Sequence, residues 1–424
     1  MKHTEEYTGR FLVLLDPDNS EQGMAAMQSR AGAGRAERIR GSATADVAEI
    51  LDRGGPVVFE ELGVAVVDVA PDQLPALRAT AQEESAILAT ERERVLYASQ
   101  ITAAPADYLR GYQDGVEELV SHALEFFDQS TLADVRTAGL DEAQATWGLQ
   151  ATRVMECAFS GQGVKIAVLD TGVDLSHPDL TGRSVETMSF VAGQSIDDVQ
   201  GHGTHCIGTA CGPKAPRVLP RYGVAFEAEI FAGKVLSNQG SGTDGQILAG
   251  INWAVANGCR VISMSLGAPT QLGEGFSQVY EHVARRAMRA GTLIVAAAGN
   301  ESDRPDTVNP VGHPANCPSI MAVAALDRNE KIAFFTDAGL NPDGGQVDIA
   351  APGVDVYSAW PQPTEHKRLM GTSMATPHVA GIVALLAQAN PTATAAELKS
   401  LLLAGARRLP IPGVDVGAGL VQAP

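Results

Sequence analysis

From about residue 144 to its end, the chain repeats one pattern: a short apolar run, a loop, then a segment with helical spacing. The apolar runs fall at 164–169, 230–235, 261–265, 293–297, 320–324 and 346–349, and the helical segments at 202–210, 243–256, 275–290 and 373–388. A strand that is apolar throughout has to be covered on both faces, and alternation with helices provides that cover. The pattern predicts an α/β fold with a mostly parallel sheet flanked by helices, and it puts any functional site at the carboxyl ends of the strands.

Residues 1–98 read differently. A strand at 10–15, a helix at 22–30, a strand pair across 57–69, a helix from Pro71 and a last strand at 93–98 give the order β-α-β-β-α-β. That is the ferredoxin-like arrangement, which implies no function by itself. Between 99 and 141 the composition turns polar, and Val116, Leu119, Val120, Ala123, Leu124 and Phe127 recur at helical spacing. The expected organisation is a small α/β domain at 1–98, a linker with an amphipathic helix at 99–141, and a larger domain at 142–424.

Composition removes several function classes. A formal net charge of −19 provides no basic footprint for nucleic acid and disfavours anionic lipid surfaces. The five cysteines are odd in number and contain no C-x-x-C pair, which argues against a disulfide framework. No apolar run approaches the roughly 20 residues of a membrane span. The apolar stretch at 11–15 is too short for a secretory signal, so an intracellular location or export by a non-classical route is expected. A soluble monomer is expected, without membrane partners.

Three short segments carry candidate chemistry. Asp170 closes an apolar strand and precedes Thr171-Gly172, where it serves either as a catalytic acid or as a turn aspartate. His202, in Gly201-His202-Gly203-Thr204-His205, opens a helix among small residues. With His205 one turn on, and Cys206 or Cys211 nearby, the alternative is a metal pair, though His205 reads better as a packed histidine. Ser373, in Gly371-Thr372-Ser373-Met374-Ala375-Thr376-Pro377-His378, starts an apolar helix, where a serine is either an N-cap or a nucleophile facing oriented N–H groups. Pro377 is read as lying in the helix's first turn. A serine hydroxyl needs a base to take its proton and a carboxylate to orient that base, and Asp170, His202 and Ser373 fill these roles. Their chain order, Asp then His then Ser, differs from the chymotrypsin and α/β-hydrolase orders.

These segments, with Val168-Leu169-Asp170-Thr171-Gly172-Val173, resemble the three signature motifs of the subtilase family of serine endopeptidases, and the resemblance runs from about Trp147 to the carboxyl terminus. It implies the triad Asp170, His202 and Ser373 and, from Ala296-Ala297-Ala298-Gly299-Asn300, an oxyanion donor at Asn300. It also implies that Gly240, Ser241, Gly242 and Ser265, Leu266, Gly267 form two edges holding a substrate strand. Ala297, Ala298, Gly299 and Gly312 would then line a pocket for a large apolar side chain, giving broad specificity with Phe, Tyr, Leu or Met before the cut. Protein or peptide substrates are implied, and no organic cofactor. Asp179 matches a calcium ligand, although the loop 211–218 lacks the asparagine-rich pattern that would complete the site; Asp197 and Asp198 are further carboxylates suited to calcium. The unit at 1–98 resembles an inhibitory pro-domain acting on its own chain, implying an autoprocessed zymogen. A catalytically silent binding module on the same fold is the alternative.

Overall fold

A computed structural model describes residues 6–99, apart from 17, 31, 42–46 and 84, together with 141–424. The expected linker at 99–141, with its amphipathic helix at 115–127, lies almost wholly outside the described residues. In the N-terminal unit the strands are β1 (Tyr7–Leu15), β2 (Glu37–Ile39), β3 (Val57–Phe59), β4 (Val64–Val67) and β5 (Ile87–Ala98), joined by helices Ser20–Arg30, Val47–Asp52 and Leu74–Glu83. Their order, β5-β1-β4-β3, is the ferredoxin-like one, and β2 adds at the edge, parallel to β3. β1 is apolar in succession because both of its faces are buried: Val13 and Leu15 pack on the unit's own helices, Leu12 and Leu14 on the opposite side.

The second unit is built on β6 (Lys165–Asp170), β7 (Val185–Ser189), β8 (Glu229–Lys234), β9 (Ser241–Thr243), β10 (Val261–Met264), β11 (Leu266–Gly267), β12 (Leu293–Ala297), β13 (Met321–Leu326) and β14 (Ile349–Pro352). Seven of these form one sheet in the order β14-β13-β12-β10-β6-β8-β7, parallel throughout. Alternate residues of β6 enter two cores, Ile166 and Val168 on one face, Ala167 and Leu169 on the other. Helix Thr372–Ala389 lies on the first face, buried from Thr372 to Ala387, and packs against helix His202–Cys211. A separate antiparallel pair, β15 (Val356–Ala359) and β16 (His366–Leu369), covers the latter helix.

The remaining two strands join the units. β5 runs between β9 and β11, antiparallel to both, with Leu96 opposite Gly242 and Ala98 opposite Leu266. Among the described residues no helix is long and apolar enough to cross a membrane, and all five cysteines are free thiols.

Candidate active site

β6 carries Asp170 to the sheet's carboxyl edge, and Thr171-Gly172 turns the chain away; Gly172 adopts φ +117°, a conformation glycine tolerates best. His202 begins its helix beside this turn. Its Nδ1–H donates to Asp170 Oδ1 at 2.7 Å, with both side chains almost fully buried. Burial alone would lower the imidazole's pKa; the Asp170 carboxylate outweighs it and holds His202 well above its ordinary value. The carboxylate also fixes the tautomer, leaving Nε2 as the atom able to accept a proton, and that nitrogen has no hydrogen-bond partner among the described residues.

Asp198 ties these two loops together. Its Oδ1 accepts Thr171 Oγ1–H at 2.8 Å and Gly201 N–H at 2.7 Å, while Oδ2 accepts the N–H and the hydroxyl of Thr204, each at 2.7 Å. The carboxylate therefore sits at the N-terminal turn of His202's helix, where negative charge is favoured. Four donors already satisfy it, so it is a positioning residue and not the calcium ligand suggested for it. Sequence reading missed this role because its signal is only an aspartate four residues before the histidine.

Ser373 is the second residue of helix Thr372–Ala389, and in this state its hydroxyl donates to the Ser265 carbonyl at 3.0 Å. Pro377 stands beyond the first turn, contrary to the reading above. Its missing N–H leaves the Ser373 carbonyl without an intrahelical donor, and Ser265 Oγ donates there instead at 2.8 Å. Cys206 Sγ lies 3.7 Å from the same carbonyl and 3.9 Å from His202 Nδ1, bridging the two helices as a buried thiol.

Asn300 emerges just after β12. Its Oδ1 accepts the Thr372 N–H at 2.9 Å and the Thr372 hydroxyl at 3.0 Å, which turns Nδ2 outward. Nδ2 donates to the carbonyl of Ser99 at 2.7 Å. That carbonyl ends a strand held on both sides: Ala98 N–H donates to Gly240 O at 2.9 Å, and Ser99 N–H to Ser265 O at 3.2 Å. Gly240, Ser241, Gly242, Ser265, Leu266 and Gly267 thus come together as two backbone edges around 95–99. Ala297, Ala298 and Gly299 continue from β12, and Gly312 closes against them, donating to Ala298 O at 2.8 Å.

The metal expectations do not fit. Asp179 Oδ1 accepts Arg217 N–H at 2.7 Å, and Oδ2 accepts Tyr222 O–H at 2.6 Å and pairs with His366 Nε2 at 3.2 Å. Arg217 belongs to the loop expected to offer calcium its oxygens, and it presents an N–H instead. Burial pushes the Asp179 carboxyl up, but these donors outweigh it and leave its pKa at about 2. His177, beside it, has both ring nitrogens engaged, by Asp179 N–H and the Glu365 carbonyl. Asp197 is exposed and accepts the Ser195 hydroxyl. His205 faces away from His202, with Nε2 on Val356 O and Lys367 O, and burial lowers its pKa to about 3, so the two histidines do not converge on a metal.

A hydroxyl, an imidazole and a carboxylate at the carboxyl edge of a parallel sheet, in the order Asp, His, Ser, define a class: serine endopeptidases of the subtilisin type. The subtilase family model matches residues 161–420, and the chain belongs to that family. It is 40% identical over 263 residues to Subtilisin DY of Bacillus licheniformis, covering 62% of this chain and 90% of that one. It is 36% identical over 349 residues to an alkaline protease of Alkalihalobacillus alcalophilus, covering 81% and 85% respectively. Among solved structures it is similar to Sphericase, with TM-score 0.57 and 33% identity over 66% of this chain and 98% of that one.

Proposed function

We propose that this endopeptidase is made as a self-inhibited precursor and cuts its own chain after Ser99. The observation that carries the reading is the Ser99 carbonyl on Asn300 Nδ2 at 2.7 Å, at the end of a strand bound along both edges of the cleft. In the reaction His202 Nε2 removes the Ser373 hydroxyl proton and Oγ attacks the Ser99 carbonyl carbon. Asn300 Nδ2 and the Ser373 N–H hold the oxyanion. His202 then protonates the leaving nitrogen, and water releases the acyl group from Ser373. The chain up to Ser99 would remain docked as product, blocking the cleft until lost.

Two carboxylates support the inhibitory role of the N-terminal unit. Glu91 accepts the Ser277 hydroxyl at 2.6 Å and the N–H groups of Gln278 and Val279 at 2.7 and 3.2 Å, at the start of helix Gln278–Arg289. Glu93 is fully buried, accepts Gly245 N–H at 3.0 Å in the first turn of helix Asp244–Ala256, and pairs with Arg10. Negative charge at helix N-termini favours docking. The 81% of the chain shared with the alkaline protease reaches into this unit as well.

Substrates would enter as the displaced strand does, through main-chain pairing with side-chain pockets adding selectivity. We read the specificity as broad, with large apolar side chains favoured before the cut; the chain's own junction offers Ser99 there and buried Leu96 three residues earlier. Wild type and Ser373→Ala, assayed on a peptide with Phe before the scissile bond, test the reading: only wild type hydrolyses it. Equal turnover by both variants, or none by folded wild type after trace trypsin has removed the N-terminal unit, returns the silent module.

A further inference from the structure

Behind Asn300 lies a pair of carboxyl groups that the chemistry above does not use. Glu301 Oε2 accepts the N–H of Asn300 itself at 2.9 Å. Asp337, fully buried in the loop after β13, uses Oδ1 to accept the Ser302 N–H at 2.8 Å and the Ser302 hydroxyl at 2.6 Å. Its other oxygen, Oδ2, has no hydrogen-bond donor among the described residues. Both carboxyl groups crowd Gly299: a Cβ there would strike Asp337 Oδ2 and stand 2.8 Å from Glu301 Oε2, which together with φ +117° is why a glycine precedes Asn300.

Among the described residues no basic side chain pairs with either carboxyl group. Arg304, the basic residue of the same loop, gives one nitrogen to Asp415 at 2.6 Å and another to the Thr336 carbonyl at 3.0 Å. Ser302, Asn309 and Thr372, the other polar neighbours of the segment, are neutral. Two carboxylates facing each other, one of them fully buried, do not both ionise readily at neutral pH. Burial first, and the Glu301 charge second, hold Asp337 well above the ordinary carboxylate range.

We propose that Glu301 and Asp337 share one proton and act as a positioning pair for the oxyanion donor: the protonated pair keeps the Asn300 segment in register, and loss of the shared proton lowers kcat. The proton sits on Asp337 Oδ2 and is donated to the Glu301 carboxylate, whose Oε2 stays on the Asn300 N–H. When it leaves, two facing anions repel across Gly299, and a second negative charge stands next to the place where the oxyanion forms. The inference rests on Asn300 holding that oxyanion.

The test is the pH dependence of kcat and KM for the processed enzyme on one peptide, carried from neutral into alkali. Wild type should lose kcat as the pair gives up its proton, with KM little changed. Asp337→Asn places a permanent N–H donor opposite Glu301 and leaves a single charge, so its kcat, lowered by up to about fivefold, should stay flat through that alkaline window; this is well below the loss expected for a direct oxyanion donor. Glu301→Gln should flatten the profile in the same way. Asp337→Ala, which removes the brace, should lower kcat further at every pH, and melting curves report whether it folds. An Asp337→Asn profile that follows wild type through the alkaline fall would overturn the proposal. Asn300→Ala serves as control: if it leaves kcat intact, the oxyanion reading fails first, whereas if it lowers kcat while Asp337→Asn tracks wild type, only the pair is refuted.

Discussion

In the sheet of the C-terminal unit, Ile166 and Val168 face one helical layer and Ala167 and Leu169 the other, and both layers belong to that unit. In the N-terminal sheet, Val13 and Leu15 face the unit's own helices, with Met24, Met27 and Leu77, but Leu12, Leu14, Phe59, Val64 and Val66 share a core with Ile247, Leu248 and Val283 of the C-terminal unit. One unit brings both covers for its sheet; the other borrows one. Fully burying such a side chain is worth about 1.5–3 kcal/mol, so the five borrowed residues together are worth about 8–15 kcal/mol, comparable to the whole stability of a small domain. On the proposed function, a unit whose apolar face is buried only against its partner suits a temporary inhibitor, because once cut free it would expose that face.

The largest effect that bears on this contrast is chemical. Ser373→Ala should lower kcat by about a millionfold, the loss known for the nucleophile of subtilisin itself, while the melting temperature stays within a few degrees. A large loss of stability would mean that the site and the fold are not separable in the C-terminal unit. Next comes Glu93→Ala in the Ser373→Ala background. It strands Arg10 and removes the acceptor from Gly245 N–H, so docking should weaken by about 3–5 kcal/mol, and calorimetry should show the N-terminal unit melting ahead of the other. A single unchanged transition would break the comparison.

Leu14→Ala and Met27→Ala sharpen it, since each removes a buried side chain at a cost of about 2–5 kcal/mol. Leu14→Ala should loosen the docked unit and speed its loss after cleavage. Met27→Ala lies on the unit's private face and should lower its own melting temperature. Indistinguishable behaviour would show that the two faces are not independent. The smallest effect concerns Asp179. Because its folded pKa is depressed to about 2, its stabilising contribution is complete above the ordinary carboxylate range and is lost as pH falls from there toward about 2. His366→Ala should move acid unfolding to higher pH, and chelation of calcium should leave this corner unaffected. A chelator-induced drop in melting temperature that disappears in an Asp179→Asn variant would contradict it.

What could be read from the sequence follows the same division. β12 matches its expected run at 293–297, because a strand buried on both faces announces itself as continuous apolar residues. Asp170, His202 and Ser373 stood out as candidates because each stands beside small residues that mark a turn or a helix start. β9 and β11 were not predicted as strands: Ser-Gly-Thr and Leu-Gly have no periodicity, and they become strands only by pairing with β5. β2 is three residues long with Glu37 and Arg38 exposed, too short to alternate. The strand expected at 346–349 begins at Ile349 and ends on Pro352, which the sheet accepts because β14 is an edge strand. Asp179 read as a metal ligand because its local motif does not reveal that Tyr222 and His366 will donate to it.

The central claim is that the strand lying in the cleft is the chain's own first substrate. Wild type and Ser373→Ala should be purified side by side and their intact masses and amino termini determined. The account predicts that wild type acquires a new terminus at Gln100 while Ser373→Ala remains full length. A new terminus elsewhere in wild type, or the same cut appearing in folded Ser373→Ala purified away from other proteases, would contradict it.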